Sequence, residues 1–173
     1  MNRRMIAQIL GKVLGIYAVL MLLPAAAGLY YGESVSCFLI SAALTGATGF
    51  VFSRFRPDNT EIFAREGFIS VGLAWVLMSL LGALPFVLSG DIPNYVDAVF
   101  ETVSGLTTTG ATILSDIEGT SRGGLFWRSF NHWIGGMGVL VFIMAVLPMS
   151  GEHSMHIMRA EAPGPTVGKL VPR

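Results

Sequence analysis

Ser104-Gly105-Leu106-Thr107-Thr108-Thr109-Gly110-Ala111-Thr112 is the one stretch where a strongly apolar chain turns hydroxyl-rich and glycine-rich between hydrophobic segments. Just before it, Tyr95 to Leu106 is mostly apolar and carries Asp97 and Glu101 at i,i+4, so a helix there puts both carboxylates on one face. Such a helix is roughly 18 Å long against a hydrocarbon core of about 30 Å, and it cannot span. A half-span helix that runs into a polar, glycine-containing segment, with a spanning helix on either side, predicts a re-entrant pore loop. Non-helical backbone is tolerated at membrane depth only where it is buried in protein or lines water. Thr107, Thr108, Thr109, Gly110 and Ala111 then form a candidate ion-binding filter. Gly110 permits an unusual backbone angle, and the carbonyl and hydroxyl oxygens would face a dehydrated cation. The competing reading is a plain turn between helices, which would sit in water and need no half-span helix leading into it.

Working outward, composition sets the class. Of 173 residues, 53% are hydrophobic and 13% charged, which indicates an integral, all-α membrane protein rather than a soluble domain. Eleven basic residues balance eleven acidic ones, so no basic surface points to nucleic acid. Cys37 is the single cysteine, inside an apolar run; it excludes an intrachain disulfide and a cysteine metal cluster and reads as packing. Arg3 and Arg4 precede an apolar run too long for a signal-peptide core, so the run reads as a retained first span.

That span covers about Ile6 to Tyr31, with Lys12 placed to snorkel and Pro24 expected to kink it. A short turn at Gly32-Glu33 leads to the second span, Ser34 to Ser53. Gly11 and Gly15 in the first, with Gly46 and Gly49 in the second, have a spacing that allows close helix contact. The stretch from Arg54 to Glu66 is polar, with a turn signal at Pro57-Asp58-Asn59. The third span runs from Gly67 to Gly90 and holds Pro85. Asp91-Ile92-Pro93-Asn94 breaks it and begins the short helix. A polar loop over 115–124 precedes the fourth span, Leu125 to about Met149. Lys and Arg gather at the N-terminus, in the 54–66 connector and in the tail, so both termini are expected in the cytoplasm and the pore loop on the outer face.

Asp97 and Glu101 admit three readings: raising cation concentration at an outer mouth, a structural role in the pore helix or toward the loop that follows, and acid–base catalysis. Catalysis lacks a nucleophile or metal in sequence reach; a membrane enzyme built on Glu101 and His132 is the weakest alternative, and the chain reads as a non-enzyme. Arg128, early in the fourth span, reads as a snorkelling side chain, while Asn131 and His132 are expected to bond to the pore loop. Trp127 and Trp133 suit the interface. Gly135, Gly136 and Gly138 leave a smooth face for another helix or the loop. His153 and His156 stand at i,i+3, but no second pair completes a metal site. No nucleotide-binding fingerprint occurs.

Ala98-Val99-Phe100-Glu101-Thr102-Val103-Ser104-Gly105-Leu106-Thr107-Thr108-Thr109-Gly110-Ala111-Thr112, then Phe126-Trp127-Arg128-Ser129 and Trp133-Ile134-Gly135-Gly136-Met137-Gly138, resemble the first pore repeat of TrkH-type potassium uptake proteins, in the Trk/Ktr/HKT superfamily. Arg65-Glu66-Gly67-Phe68, Gly82-Ala83-Leu84-Pro85-Phe86 and the tail from Arg159 to Pro165 are similar as well. The resemblance implies two extra helices before four repeats of helix, pore loop, helix around one pore. On it, 1–53 is the N-terminal helix pair, 54–66 a cytoplasmic connector, 67–149 the first repeat, and 150–173 a cytoplasmic tail leading toward a second repeat. Gly110 falls on the filter glycine, with the carbonyls of Thr108, Thr109 and Gly110 facing the ion. In the family, glycine here goes with potassium and serine with sodium passage in plant relatives.

The resemblance further implies potassium as the substrate with no resident cofactor, and the bacterial cytoplasmic (inner) membrane as the location. It implies a cytosolic nucleotide-binding regulatory subunit like TrkA and a homodimer of the full-length protein. Three repeats are missing from the pattern. The expectation is a truncated portion that does not conduct alone, set against assembly of four copies, or a non-conducting scaffold or assembly subunit.

Overall fold

The computed structural model describes residues 3–55 and 64–146, and every regular element among them is helical. α1 (Arg3–Leu20) and α2 (Leu22–Tyr30) make a first apolar rod and α3 (Ser36–Ser53) returns beside it. α4 (Ala64–Gly82) and α5 (Leu84–Ser89) make the third rod; α6 (Tyr95–Leu106) and α7 (Arg122–Val146) follow. Among the described residues three stretches are long and apolar enough to cross a membrane, Arg3–Tyr30, Ser36–Ser53 and Glu66–Ser89, so the chain is a multi-pass membrane protein. The fourth expected span falls on α7, which is not among these three although its 25 residues extend roughly 37 Å. Residues 147–149 lie outside the described residues, as do 56–63 of the connector, the His153/His156 pair and the tail.

Proline punctuates both long rods. Pro24 has no N–H for the Leu20 carbonyl, and the helix breaks at Met21. Met21 still donates its own N–H to the Tyr17 carbonyl at 3.1 Å, which carries the axis through the break. Pro85 acts alike at Ala83, and α5 ends on Gly90 at φ +83°. α2 closes in a Schellman turn: Gly32 takes φ +76°, Glu33 N–H reaches the Gly28 carbonyl and Gly32 N–H the Leu29 carbonyl. Ser34 and Val35, expected at the start of the second span, continue from that turn as non-helical chain, and α3 starts at Ser36. α4 begins at Ala64, inside the stretch read as connector, with Glu66 in its first turn where the helix dipole favours a carboxylate.

α1 packs on α3 through two of the four glycines singled out. A Cβ on Gly11 would lie 2.7 Å from the Gly49 carbonyl oxygen, and one on Gly49 would lie 2.9 Å from the Gly11 oxygen. Gly46 faces the Ala18 methyl at ordinary distance, while a Cβ on Gly15 would meet open space and Gly15 lends only its backbone nitrogen, 3.0 Å from where a Cβ on Gly49 would be. The core gathers Leu14, Tyr17, Met21, Phe38, Phe86, Leu106 and Trp127 from α1, α3, α5, α6 and α7. Trp127 thus departs from its expected interfacial place. Its ring lies 5.3 Å from that of Tyr17, and its Nε1–H donates to the Gly82 carbonyl at 2.9 Å, in the last turn before the Ala83 break. An indole has an apolar body and one donor, and a carbonyl orphaned at a helix end draws both inward. Trp133, 58% exposed, remains on the outer surface.

Candidate functional site

α6 starts because Asn94, in extended conformation, accepts the Val96 N–H on its side chain, with Asp97 in the first turn. It stops because the backbone of Leu106 lies against a helix position that has no side chain. A Cβ on Gly135 would stand 2.6 Å from the Leu106 carbonyl carbon. Beyond Leu106 the chain reverses. Thr108 N–H bonds the Gly105 carbonyl at 2.9 Å and Thr109 N–H the Ser104 carbonyl at 3.0 Å. This is a second Schellman turn, but its left-handed residue is Thr108 at φ +57° instead of glycine. A β-branched residue at positive φ is strained, and such strain persists only where surrounding contacts hold it. Gly110 also takes positive φ, +78°.

The loop is fastened at both ends. On the incoming side, Thr107 donates its hydroxyl to the Val103 carbonyl and pairs with the Thr109 hydroxyl at 2.8 Å. On the outgoing side, the Ser104 hydroxyl donates to the Ala111 carbonyl. Glu101 then takes the next two residues: its Oε2 accepts from the Thr112 hydroxyl at 3.0 Å and from the Ile113 N–H at 3.1 Å. Among the described residues, no donor reaches the carbonyls of Thr107, Thr108, Thr109 and Gly110. Residues 107–113 are all exposed on this body.

The two carboxylates on the α6 face have unlike surroundings. Glu101 is 2% exposed, and the guanidinium Nε of Arg128 donates to its Oε1. Arg128 therefore does not snorkel: a charge two turns into an apolar helix has found a counter-charge. Asp97, one turn earlier, is half-buried and has no hydrogen bond or ion pair among the described residues. Asn131 does not reach the loop. It accepts from the Tyr17 hydroxyl at 2.9 Å and donates to the Trp127 carbonyl at 3.0 Å. His132 bonds through Nδ1 to the Arg128 carbonyl, and its ring stands behind the loop, with Nε2 3.9 Å from where a Cβ on Gly110 would be. A Cβ on Gly136 would come 4.0 Å from the Thr108 methyl, and Gly138 faces Trp75.

Two acidic residues that the sequence places only in a turn and a helix break also act here. Glu33 accepts from the N–H groups of Arg122 at 2.7 Å and Gly123 at 2.9 Å, so it covers the start of α7 from the turn after α2. Asp91 accepts from Ser121 N–H and hydroxyl and from the Ser89 hydroxyl. The sequence signal for both was weak: a lone acid beside a turn residue. No group of three or more His, Cys, Asp or Glu able to hold a metal occurs among the described residues.

The family model described as a TrkH cation transport protein matches residues 34–171. The Trk system potassium uptake protein TrkH of Halomonas elongata is 37% identical over all of this chain, which covers 37% of that protein. That of Vibrio parahaemolyticus is 36% identical, again over the whole chain and 36% of its own length. An uncharacterized cation transporter of Methanocaldococcus jannaschii is 38% identical over 91% of this chain and 33% of its own length. The chain thus spans little more than a third of the curated relatives it matches. A match to the family model across most of the chain, together with the glycine and threonine pattern around Gly110, establishes that this chain belongs to the TrkH family of cation transport proteins.

Proposed function

We propose that the chain supplies one wall of a potassium pathway through the bacterial cytoplasmic membrane, with Thr107–Ala111 as its share of the selectivity filter. On this reading α6 enters from the outer side as a re-entrant half-helix, α7 is the fourth span, and both termini are cytoplasmic. One observation carries it: four successive carbonyls with no donor among the described residues, strung between two fastened ends, with Thr108 strained and Gly110 left-handed. Backbone so arranged is costly unless something else takes up the oxygens. A cation that sheds water to them is such a partner, and potassium, with its weakly held hydration shell, is the ion named for the relatives. Asp97, lacking a counter-charge, would raise cation concentration near the mouth.

One loop offers about a quarter of the oxygens a four-fold filter needs. The remainder of the pore, a cytosolic nucleotide-binding subunit and a second copy of the complete protein are the partners this reading requires. The test is potassium and sodium uptake by the intact assembly containing this chain, in cells deficient in potassium uptake, with Gly110→Ser alongside. The expected result is a lower potassium-to-sodium ratio for Gly110→Ser at unchanged membrane abundance. An unchanged ratio would leave the loop a structural turn and the chain a scaffold.

A further inference from the structure

α7 touches both ends of the loop. At the incoming end the bare backbone of Gly135 seats the Leu106 carbonyl; at the outgoing end Arg128 holds Glu101, which holds Thr112 and Ile113. Those two positions are seven residues apart on one helix, roughly 10.5 Å along its axis. The helix thereby sets the distance across which the four free carbonyls are strung.

Charge decides which acid does the holding. The Glu101 side chain is 1% exposed and that of Arg128 18%, so the pair lies almost entirely out of solvent. A carboxylate at that depth is costly to bury without a partner charge, and the Arg128 guanidinium fixes where its oxygens lie. Without that hold Glu101 is free to turn away, Ile113 N–H and the Thr112 hydroxyl lose their shared acceptor, and the outgoing limb keeps only the Ser104 tie at Ala111.

We propose that Arg128 is a specificity-determining positioning residue: by holding Glu101 in place, it fixes the outgoing limb Thr112–Ile113 and so the spacing of the filter carbonyls. The proposal rests on the reading of Thr107–Ala111 as a cation filter. Arg128 touches no ion; it acts through Glu101. Its position on α7 also means that any displacement of α7 reaches the filter at both ends together.

The experiment measures the ratio of potassium to sodium uptake, and membrane abundance, for the intact assembly carrying Arg128→Gln, Arg128→Lys, the double variant Glu101→Gln/Arg128→Gln, and Thr112→Val. Arg128→Gln should lower the ratio about tenfold, the scale of one charge-assisted hydrogen bond, and Arg128→Lys should restore most of it. Arg128→Gln leaves a carboxylate buried without a cation; if it fails to reach the membrane, the double variant, which buries no unpaired charge, carries the test. It should reach the membrane normally and still show the lowered ratio, because a neutral amide holds the limb less firmly. Thr112→Val removes one tie at an exposed position and should lower the ratio by a smaller factor. A wild-type ratio in both the double variant and Thr112→Val, beside a lowered one in Gly110→Ser, would overturn the role of Arg128 alone. A wild-type ratio in all of them would overturn the filter reading beneath it.

Discussion

Gly135→Ala tests how the end of α6 is seated. The new methyl would stand 2.6 Å from the Leu106 carbonyl carbon and 3.0 Å from its Cα. Carbon atoms at rest lie about 3.5–4.0 Å apart, so α6 and α7 must part by about 1 Å. The obstacle is backbone and cannot swing aside as a side chain would. Overpacking of this kind costs about 1–3 kcal/mol, and a backbone clash belongs at the upper end. Alanine recovers about 1 kcal/mol over glycine within a helix, which leaves a net loss of about 2 kcal/mol. The neighbour is the control. A methyl on Gly136 meets only the Thr108 methyl, at 4.0 Å, so Gly136→Ala should keep the helical gain of about 1 kcal/mol. The two variants should differ by about 3 kcal/mol, on the order of 6–12 °C in unfolding temperature for a chain of this size. Thermal unfolding in detergent reads that difference directly. Gly135→Ala as stable as the parent, or equal to Gly136→Ala, would refute the close seat of Leu106.

Three further outcomes are expected. Thr108→Gly relieves a left-handed threonine and should raise stability by about 1 kcal/mol while loosening the filter; a fall in unfolding temperature would contradict the strain. Trp127→Phe removes the indole donor from the Gly82 carbonyl and should cost about 1–2 kcal/mol, and tryptophan fluorescence in the parent should show Trp133 open to aqueous or lipid-borne quenchers and Trp127 shielded from both. Equal quenching of the two would count against the buried position. Glu33→Ala withdraws both acceptors from the start of α7 and should cost about 1 kcal/mol, whereas Glu33→Gln, which keeps an acceptor, should cost less; identical losses would mean that the cap contributes nothing.

What the sequence discloses here is local. The bounds of α6 were legible because their causes lie next to them: Asn94 caps from two residues before Val96, and a polar run begins at Thr107. The three apolar rods were legible from length, and the break at Pro24 from the missing N–H. Relations between distant residues were not. Arg128 and Glu101 are 27 positions apart, Glu33 and Arg122 are 89 apart, and neither member of a pair names the other. Trp127 was misread because an indole is equally suited to a headgroup layer and to an orphaned carbonyl, and only the position of Gly82 decides. The glycines of α7 announced a smooth face, yet which backbone atom would lie on it depended on where α6 ends.

The bond from the Tyr17 hydroxyl to Asn131 spans 114 residues and ties the first rod to the last described helix. At a synthesis rate of about 5–20 residues per second, Asn131 emerges roughly 6–23 s after Tyr17. Throughout that interval α1 is already in the bilayer with a hydroxyl that lacks its final acceptor. The Gly11–Gly49 contact with α3 becomes available much sooner and can hold α1 in place meanwhile. Assembly of this protein is then ordered in time: an early helix pair, close-packed through glycine, keeps a polar group waiting until the helix that backs the loop arrives to accept it.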